Sequence, residues 1–276
     1  MKFIKNLKPI IICDIGASPI DSDNFINELF NNTTSNIIGF EPNINEFNKL
    51  KNTTRKKYFN FPLGDGQIHK LNICLGPGMS SFLEPNYDYL ELFHGFNKWA
   101  KIIEKKQIKT KKLDDLNLDI DVFKIDVQGF ESKIIEFGKN TIKNSLVVQI
   151  ETSPTPIYKK EKSFSFVSQQ LEKLGYRLHM FNHINSRAFK PMIINNNIYA
   201  GLNHLFQLDC VFIKNFNEID NYNIENLKKL ILILFYGFKS YDLVDYLITK
   251  LDKFTNSSLI DKYRKLIQTT KIIKKY

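Results

Sequence analysis

An α/β fold on a mostly parallel sheet is what this 276-residue chain predicts, and three observations carry it. Short apolar runs alternate with segments of helical periodicity from Pro9 to about Lys214. Four of the runs end in an acid, Asp14, Glu41, Asp126 and Glu151. The stretch Asp121 to Glu131 then shows what those acids do: Val122, Phe123 and Ile125 read as a buried strand, and Asp126, Gln128 and Glu131 arrive where the strand stops and a helix starts. In an open parallel sheet, ligands bind beyond the carboxyl ends of the strands. Side chains at such a corner either face a ligand or cap the helix.

Taken in order, Pro9 to Ile15 predicts a buried parallel strand ending in Asp14, Gly16, Ala17 and Ser18. Asp21 or Ser22 caps the next helix, through Phe25, Ile26, Leu29 and Phe30. Small residues at this corner would let a ligand meet bare backbone amides. It is not a dinucleotide fingerprint, because Ser18 and Ile20 stand where further glycines would be. Asn36 to Phe40 is a second strand, ending in Glu41-Pro42-Asn43, and an acid there can grip both hydroxyls of a ribose. Asn43 and Glu46 read as a capping box for a helix from Ile44 to Lys51.

Lys57 to Phe61 is a third strand, followed by the turn Leu63-Gly64-Asp65-Gly66. Gln67 to Cys74 predicts an antiparallel continuation of the sheet, and Tyr87 to Trp99 either a lid or a packed helix. After Glu131 come an amphipathic helix to about Phe137 and a strand from Ser145 to Ile150. A helix capped by Ser163 and stopped at Gly175 is next, and the strands Tyr176 to Phe181 and Leu205 to Lys214 close the α/β pattern. His179 and His183 are four apart on a strand and loop, which predicts no metal site. From Asn223 on, helical faces follow, the first through Ile224, Leu227, Leu230 and Leu234. The domain reading is therefore residues 1–215 and a helical extension, 216–276, which is a candidate surface for homo-oligomerisation.

With 43% hydrophobic and 13% aromatic residues the composition is that of a globular protein with ample core. No apolar run reaches the roughly 20 residues of a bilayer span, and the N-terminus has no signal-type core, so the expected location is cytoplasmic. Cys13, Cys74 and Cys210 lie in apolar, strand-like contexts and read as reduced core residues. The net charge of +10 comes from lysines scattered along the chain, which argues for a solvated basic surface and against a nucleic-acid groove.

These elements resemble a known family, the FkbM-type S-adenosylmethionine-dependent methyltransferases. The resemblance lies in Asp14-Ile-Gly-Ala-Ser18, Gly39-Phe-Glu-Pro42, Ser80-Ser81, Leu113-Asp-Asp-Leu116, Phe123-Lys-Ile-Asp-Val-Gln-Gly-Phe-Glu131 and Val147-Val-Gln-Ile-Glu151, over roughly residues 9–214. It implies a class I methyltransferase (Rossmann-like) fold, a seven-stranded sheet with the last strand antiparallel. It implies S-adenosyl-L-methionine as cofactor, with Asp14, Gly16, Ala17 and Ser18 at its methionine part, Glu41 and Pro42 at its ribose, Asp65 at its adenine and Gln128 beside it. Asp126 would be the base and Glu131 or Glu151 would hold the acceptor. The implied reaction is O-methylation of a sugar hydroxyl in a surface glycan or of a related small metabolite. An N-methyltransferase on a peptide side chain, an RNA methyltransferase or RNA-binding protein, and a non-catalytic scaffold remain as alternatives. One departure is Ile20, near the position of a further family glycine: either the loop takes another path through Pro19, or cofactor binding is weakened.

Overall fold

A computed structural model describes residues 1–5, 7–19 and 24–270; Ile20 and the expected caps Asp21 and Ser22 lie outside the described residues. The first half of the chain runs β1 (Ile10–Ile15), α1 (Asn24–Asn32), β2 (Ser35–Phe40), α2 (Ile44–Phe47), β3 (Lys56–Phe59), β4 (Ile68–Cys74), α3 (Tyr87–Leu90), α4 (Phe96–Trp99) and β5 (Ile102–Lys109). The second half runs β6 (Val122–Ile125), α5 (Glu131–Phe137), α6 (Lys139–Lys143), β7 (Val147–Thr152), α7 (Phe164–Lys173), β8 (Tyr176–Ser186) and β9 (Leu205–Lys214), then α8 (Phe216–Asp220), α9 (Ile224–Leu232), α10 (Tyr241–Thr255) and α11 (Leu259–Thr269).

Seven strands form one sheet in the order β3-β2-β1-β6-β7-β9-β8. The pairs β2–β3, β1–β6 and β6–β7 are parallel, and β9 runs antiparallel to both of its neighbours. This is the mostly parallel, Rossmann-like sheet with an antiparallel closing strand. Its central strand β6 is buried along its whole length. Phe123 and Ile125 there pack with Ile15, Val148, Ile150 and Phe212 from the neighbouring strands and with Ile134 and Ile135 of α5. Each such side chain contributes roughly 1.5–3 kcal/mol through burial.

Three local expectations are corrected. β4 does not continue the main sheet; it pairs antiparallel with β5 in a separate ribbon, in register from Ile68↔Lys109 to Cys74↔Ile102. The helix expected over 44–51 stops after α2, and Asn43 accepts only from the Asn45 amide while Glu46 turns to Lys49 at 2.7 Å, so the reciprocal capping box does not form. The strand expected over Tyr176 to Phe181 runs on to Ser186, because β9 supplies partners to that point. The Tyr87 to Trp99 segment folds as two short helices; their Leu90 and Phe96, and Phe93 between them, build a second core with Met79, Tyr158 and Phe206.

By contacts the chain divides into two compact units, Met1–Ile10, Ser22–Asn36 and Phe216–Tyr276 in one, Ile11–Asp21 and Ile37–Asn215 in the other. This grouping differs from a cut at residue 215 because α1 goes with the C-terminal helices, where Phe25 stacks on Phe238 with ring centroids 4.9 Å apart. The helical unit is held by apolar faces, with Leu227, Leu230, Val244, Leu247 and Leu251 buried. Asn223 caps α9 by accepting from the Asn226 amide at 2.8 Å. Among the described residues no helix is long and apolar enough to cross a membrane.

Candidate active site

A cleft of about 810 Å³, open mouth included, lies at the carboxyl ends of β1, β2 and β6. Its walls include Gly16 and Ser18 after β1, Glu41 and Pro42 after β2, and Asp126 and Gln128 after β6. The loop around Gly78 and Ser80–Phe82 closes another side. The sheet order puts these three strand ends side by side.

The corner after β1 is tied down by its own backbone. The Gly16 and Ala17 amides both donate to the Phe40 carbonyl, at 2.9 and 3.1 Å, and the Ser18 amide donates to the Gly16 carbonyl at 2.8 Å. The expectation of bare amides facing a ligand is therefore overturned for residues 16–18. Gly16 is required on steric grounds: its φ is +87°, and a Cβ there would stand 1.8 Å from the Asp126 carbonyl oxygen. Ala17 is buried and lies behind the cleft wall.

Glu41 lies on the wall but is only 6% exposed. Its Oε1 accepts from the Asn43 amide at 2.7 Å. Burial raises its carboxyl to about 7, with the neighbouring acids Glu46, Asp14 and Asp126 adding to the rise against the Asn43 hydrogen bond. Asp65 is not among the cleft residues. Its Oδ1 accepts from the Gln67 amide at 2.9 Å, from the Thr110 hydroxyl at 3.3 Å and lies 2.8 Å from His69 Nε2, so it fixes its own turn. Those partners hold its carboxyl below the usual range although burial works the other way.

The corner after β6 is organised by side chains around Gln128. Its Nε2 donates to Asp126 Oδ1 at 2.9 Å and to Glu151 Oε2 at 3.0 Å. Its Oε1 accepts from the Tyr158 hydroxyl at 2.7 Å and its backbone carbonyl from the Ser81 hydroxyl at 2.5 Å. Gln128 has a φ of +55°, rare for a non-glycine residue, and that turn carries the carboxamide between the two carboxylates. The Asp126 carboxylate can only accept, which fixes the amide orientation with its N–H bonds toward the acids and leaves Oε1 for the Tyr158 hydroxyl.

Lys124 lies in the middle of β6 with its side chain 6% exposed, 3.3 Å from Asp126 Oδ2 and 3.9 Å from Asp14 Oδ1. It is in register with Asp14 on the neighbouring strand. Glu151 also accepts from Gln207 Nε2 at 3.0 Å, and burial, reinforced by the charges of Asp126, Asp209 and Glu131, pushes its carboxyl well above the usual range.

Glu131 stands apart from the cleft. It is 4% exposed, and its Oε1 accepts from the amides of Val127 and Gly129, both at 3.0 Å, closing the loop that presents Gln128. Burial raises its carboxyl to about 8. Glu161 braces the next loop in the same manner, accepting from the amides of Ile157 and Tyr158 at 2.7 and 2.9 Å. Lys124, Tyr158 and Glu161 were not singled out from the sequence. A lysine inside the apolar run Val122 to Ile125 was the available signal for the first, since a cation in a buried parallel strand needs a partner. Nothing in periodicity marks the other two.

The sequence profile described as the methyltransferase FkbM domain matches residues 14–178, a span that includes every cleft residue named above. Comparison with curated proteins gave no match. Among solved structures, the crystal structure of methyltransferase FkbM from Methylobacillus flagellatus KT is similar at 9% sequence identity with a TM-score of 0.42. That alignment covers 76% of this chain and 44% of the other, so the chain spans less than half the length of that protein.

Proposed function

Because the chain belongs to the FkbM methyltransferase family, we propose that the cleft holds S-adenosylmethionine and that the protein methylates an oxygen, on a sugar of a surface glycan or on a related small metabolite. The observation that supports this most directly is the placing of Glu41, Gly16, Ser18, Asp126 and Gln128 around one cleft. An acid at the end of β2 suits the two hydroxyls of a ribose. The acids Asp14, Glu41 and Asp126 together suit a cationic ligand, and Gly16 leaves its part of the wall without a side chain. S-adenosylmethionine supplies a methyl group on a positively charged sulfur, open to in-line displacement.

The chain's own residues then have distinct work. Asp14 and the 16–18 corner shape the methionine end through side chains and carbonyls, since the amides are already engaged. Asp126 takes the proton of the acceptor hydroxyl. It faces the cleft, whereas Glu151 is not among the cleft residues and its Oε2 is already taken up by Gln128 and Gln207. Gln128 spaces the two acids, and Lys124 at 3.3 Å balances the Asp126 charge. Glu131 braces the loop and leaves the chemistry to its neighbours, and Asp65 serves its turn. We place this activity in residues 1–215 and treat 216–276 as an extension suited to self-association.

Calorimetric titration with S-adenosylmethionine and S-adenosylhomocysteine tests the reading, with Glu41→Ala as control. We expect saturable binding that the control loses. Because ionised Glu41 is the form that accepts ribose hydroxyls and its carboxyl titrates at about 7, affinity should rise from pH 6 to pH 8. No binding of either compound, or unchanged binding by Glu41→Ala, would overturn the assignment.

A further inference from the structure

A second pocket, about 860 Å³ with its open mouth, lies in the segment that joins β8 to β9, lined by Arg187, Phe189, Met192, Leu202 and His204. Its outer walls are apolar and exposed, Met192 by 53% and Leu202 by 60%. Its floor is fixed, because His204 stacks on Phe93 with centroids 5.5 Å apart and its Nε2 lies 2.7 Å from the Tyr89 hydroxyl.

The arginine is held from one edge only. Nη1 donates to the carbonyls of Ser186 and Tyr199, both at 3.0 Å, and to the Asn185 carboxamide oxygen. The guanidinium rests against the rings of Phe96 and Phe206, each centroid 5.7 Å away. Among the described residues Nε, closed to water, has no acceptor and Nη2 makes no hydrogen bond. Among them, too, no carboxylate pairs with this half-buried cation, which desolvation destabilises. The Nε–Nη2 edge carries two parallel N–H bonds, the geometry that grips a carboxylate or phosphate in bidentate fashion. A guanidinium oriented by three oxygens and two rings, with that edge unused, is prepared for an anion.

The pocket is linked through β8 and β9 to the hydrogen-bond network around Gln128. Asn185 and Gln207 are register partners on β8 and β9. Asn185 holds Arg187, and Gln207 holds Glu151. The loop after β8 therefore stands at the same end of the sheet as Asp126 and Glu151, the end where the methyl acceptor would enter.

We propose that this pocket is a subsite for a carboxylate or phosphate carried on an apolar body, with Arg187 as the anion's partner and Phe189, Met192 and Leu202 around the body, and that the methyl acceptor supplies both. The proposal rests on the methyltransferase reading. The anion would pair first with Nη2, and reaching Nε as well requires movement of the side chains that close it off.

Phenyl phosphate, inorganic phosphate and phenol, titrated into the full chain with and without S-adenosylhomocysteine, test it. Phenyl phosphate should bind at least tenfold more tightly than either fragment. Arg187→Gln should weaken it at least tenfold, and Leu202→Asp, a change at an exposed position that sets a like charge beside the anion, by a similar factor. S-adenosylhomocysteine should bind both variants as it binds the unaltered protein, which also shows that they fold; if Arg187→Gln does not fold, Leu202→Asp decides. Equal affinity for the three probes, or undiminished binding by the variants, would overturn the subsite. So would binding to phosphatidic acid vesicles without binding to phenyl phosphate, which would assign the loop to a lipid surface. Loss of S-adenosylhomocysteine binding with phenyl phosphate retained would overturn the cofactor assignment and leave the pocket standing; the reverse would overturn the pocket alone.

Discussion

The corners after β1 and β6 both turn from a buried parallel strand toward a helix, and they are built in opposite ways. After β1, backbone amides of residues 16 and 17 reach across to the Phe40 carbonyl, so the main chain itself ties the corner down. After β6, the carboxylate of Glu131 takes up the loop amides, which frees the side chains of Asp126 and Gln128 to meet Glu151 and Tyr158. The two corners touch through one contact that tolerates no extra atom, Gly16 against the Asp126 carbonyl. A corner that satisfies itself through its backbone can shape a cleft; one that satisfies itself through a buried acid can present reactive groups.

Gly16→Ala should break this contrast outright. The added Cβ would lie 1.8 Å from the Asp126 oxygen in a backbone conformation that L side chains disfavour. We expect a loss of about 3 kcal/mol or more in denaturant unfolding, with the cleft distorted. Tyr158→Phe is milder and more selective. It leaves Gln128 Oε1 without its donor, at a cost of about 1–3 kcal/mol in denaturant unfolding, and removes the tether that holds the carboxamide between Asp126 and Glu151, so ligand affinity in calorimetric titration should fall as well.

The smallest effect is expected from Glu131→Gln, which retains an oxygen to accept from Val127 and Gly129. The Glu131 carboxyl is raised to about 8, so wild-type Glu131 favours folding when protonated and loses that contribution as pH rises from the ordinary carboxyl range through about 8. The variant does not ionise. Its melting temperature should therefore match that of the wild type near pH 5 and exceed it at pH 9; a variant less stable at both pH values would show that the loop needs the charge.

Much of this contrast was readable from the chain. Apolar runs with period two or none gave the strands of the main sheet, and the polar cluster after Ile125 marked the corner that carries Asp126 and Gln128. The β5 ribbon was not readable, because Ile-Ile-Glu-Lys-Lys-Gln-Ile-Lys has almost no buried face and is held by hairpin hydrogen bonds to β4. The bare amides expected at the first corner failed for a related reason: residue types disclose that a turn is tight, while the destination of its N–H groups depends on which strand lies alongside. Tyr158 bonds to Gln128, far from it in the chain, and no local pattern encodes such a bond; Glu161 closes its own loop on the neighbouring amides of Ile157 and Tyr158, outside the periodicity of any helix or strand. The Glu131 brace was legible as a first-turn acid, although its amides come from the loop before the helix.

The grouping of α1 with the C-terminal helices sets an order on the making of the protein. Synthesis delivers Phe25 well before Phe238, so the ring against which Phe25 stacks does not exist until every strand of the sheet has been made. The second unit, nearly all of it within residues 37–215, has no such wait. The nascent chain therefore carries the apolar face of α1, with Phe25, Ile26 and Leu29, without its native cover while the sheet is assembled. A premature stop between β9 and α9 would release a chain that has every residue of the cleft and a greasy helix without its cover, the kind of product that chaperones and proteases recognise.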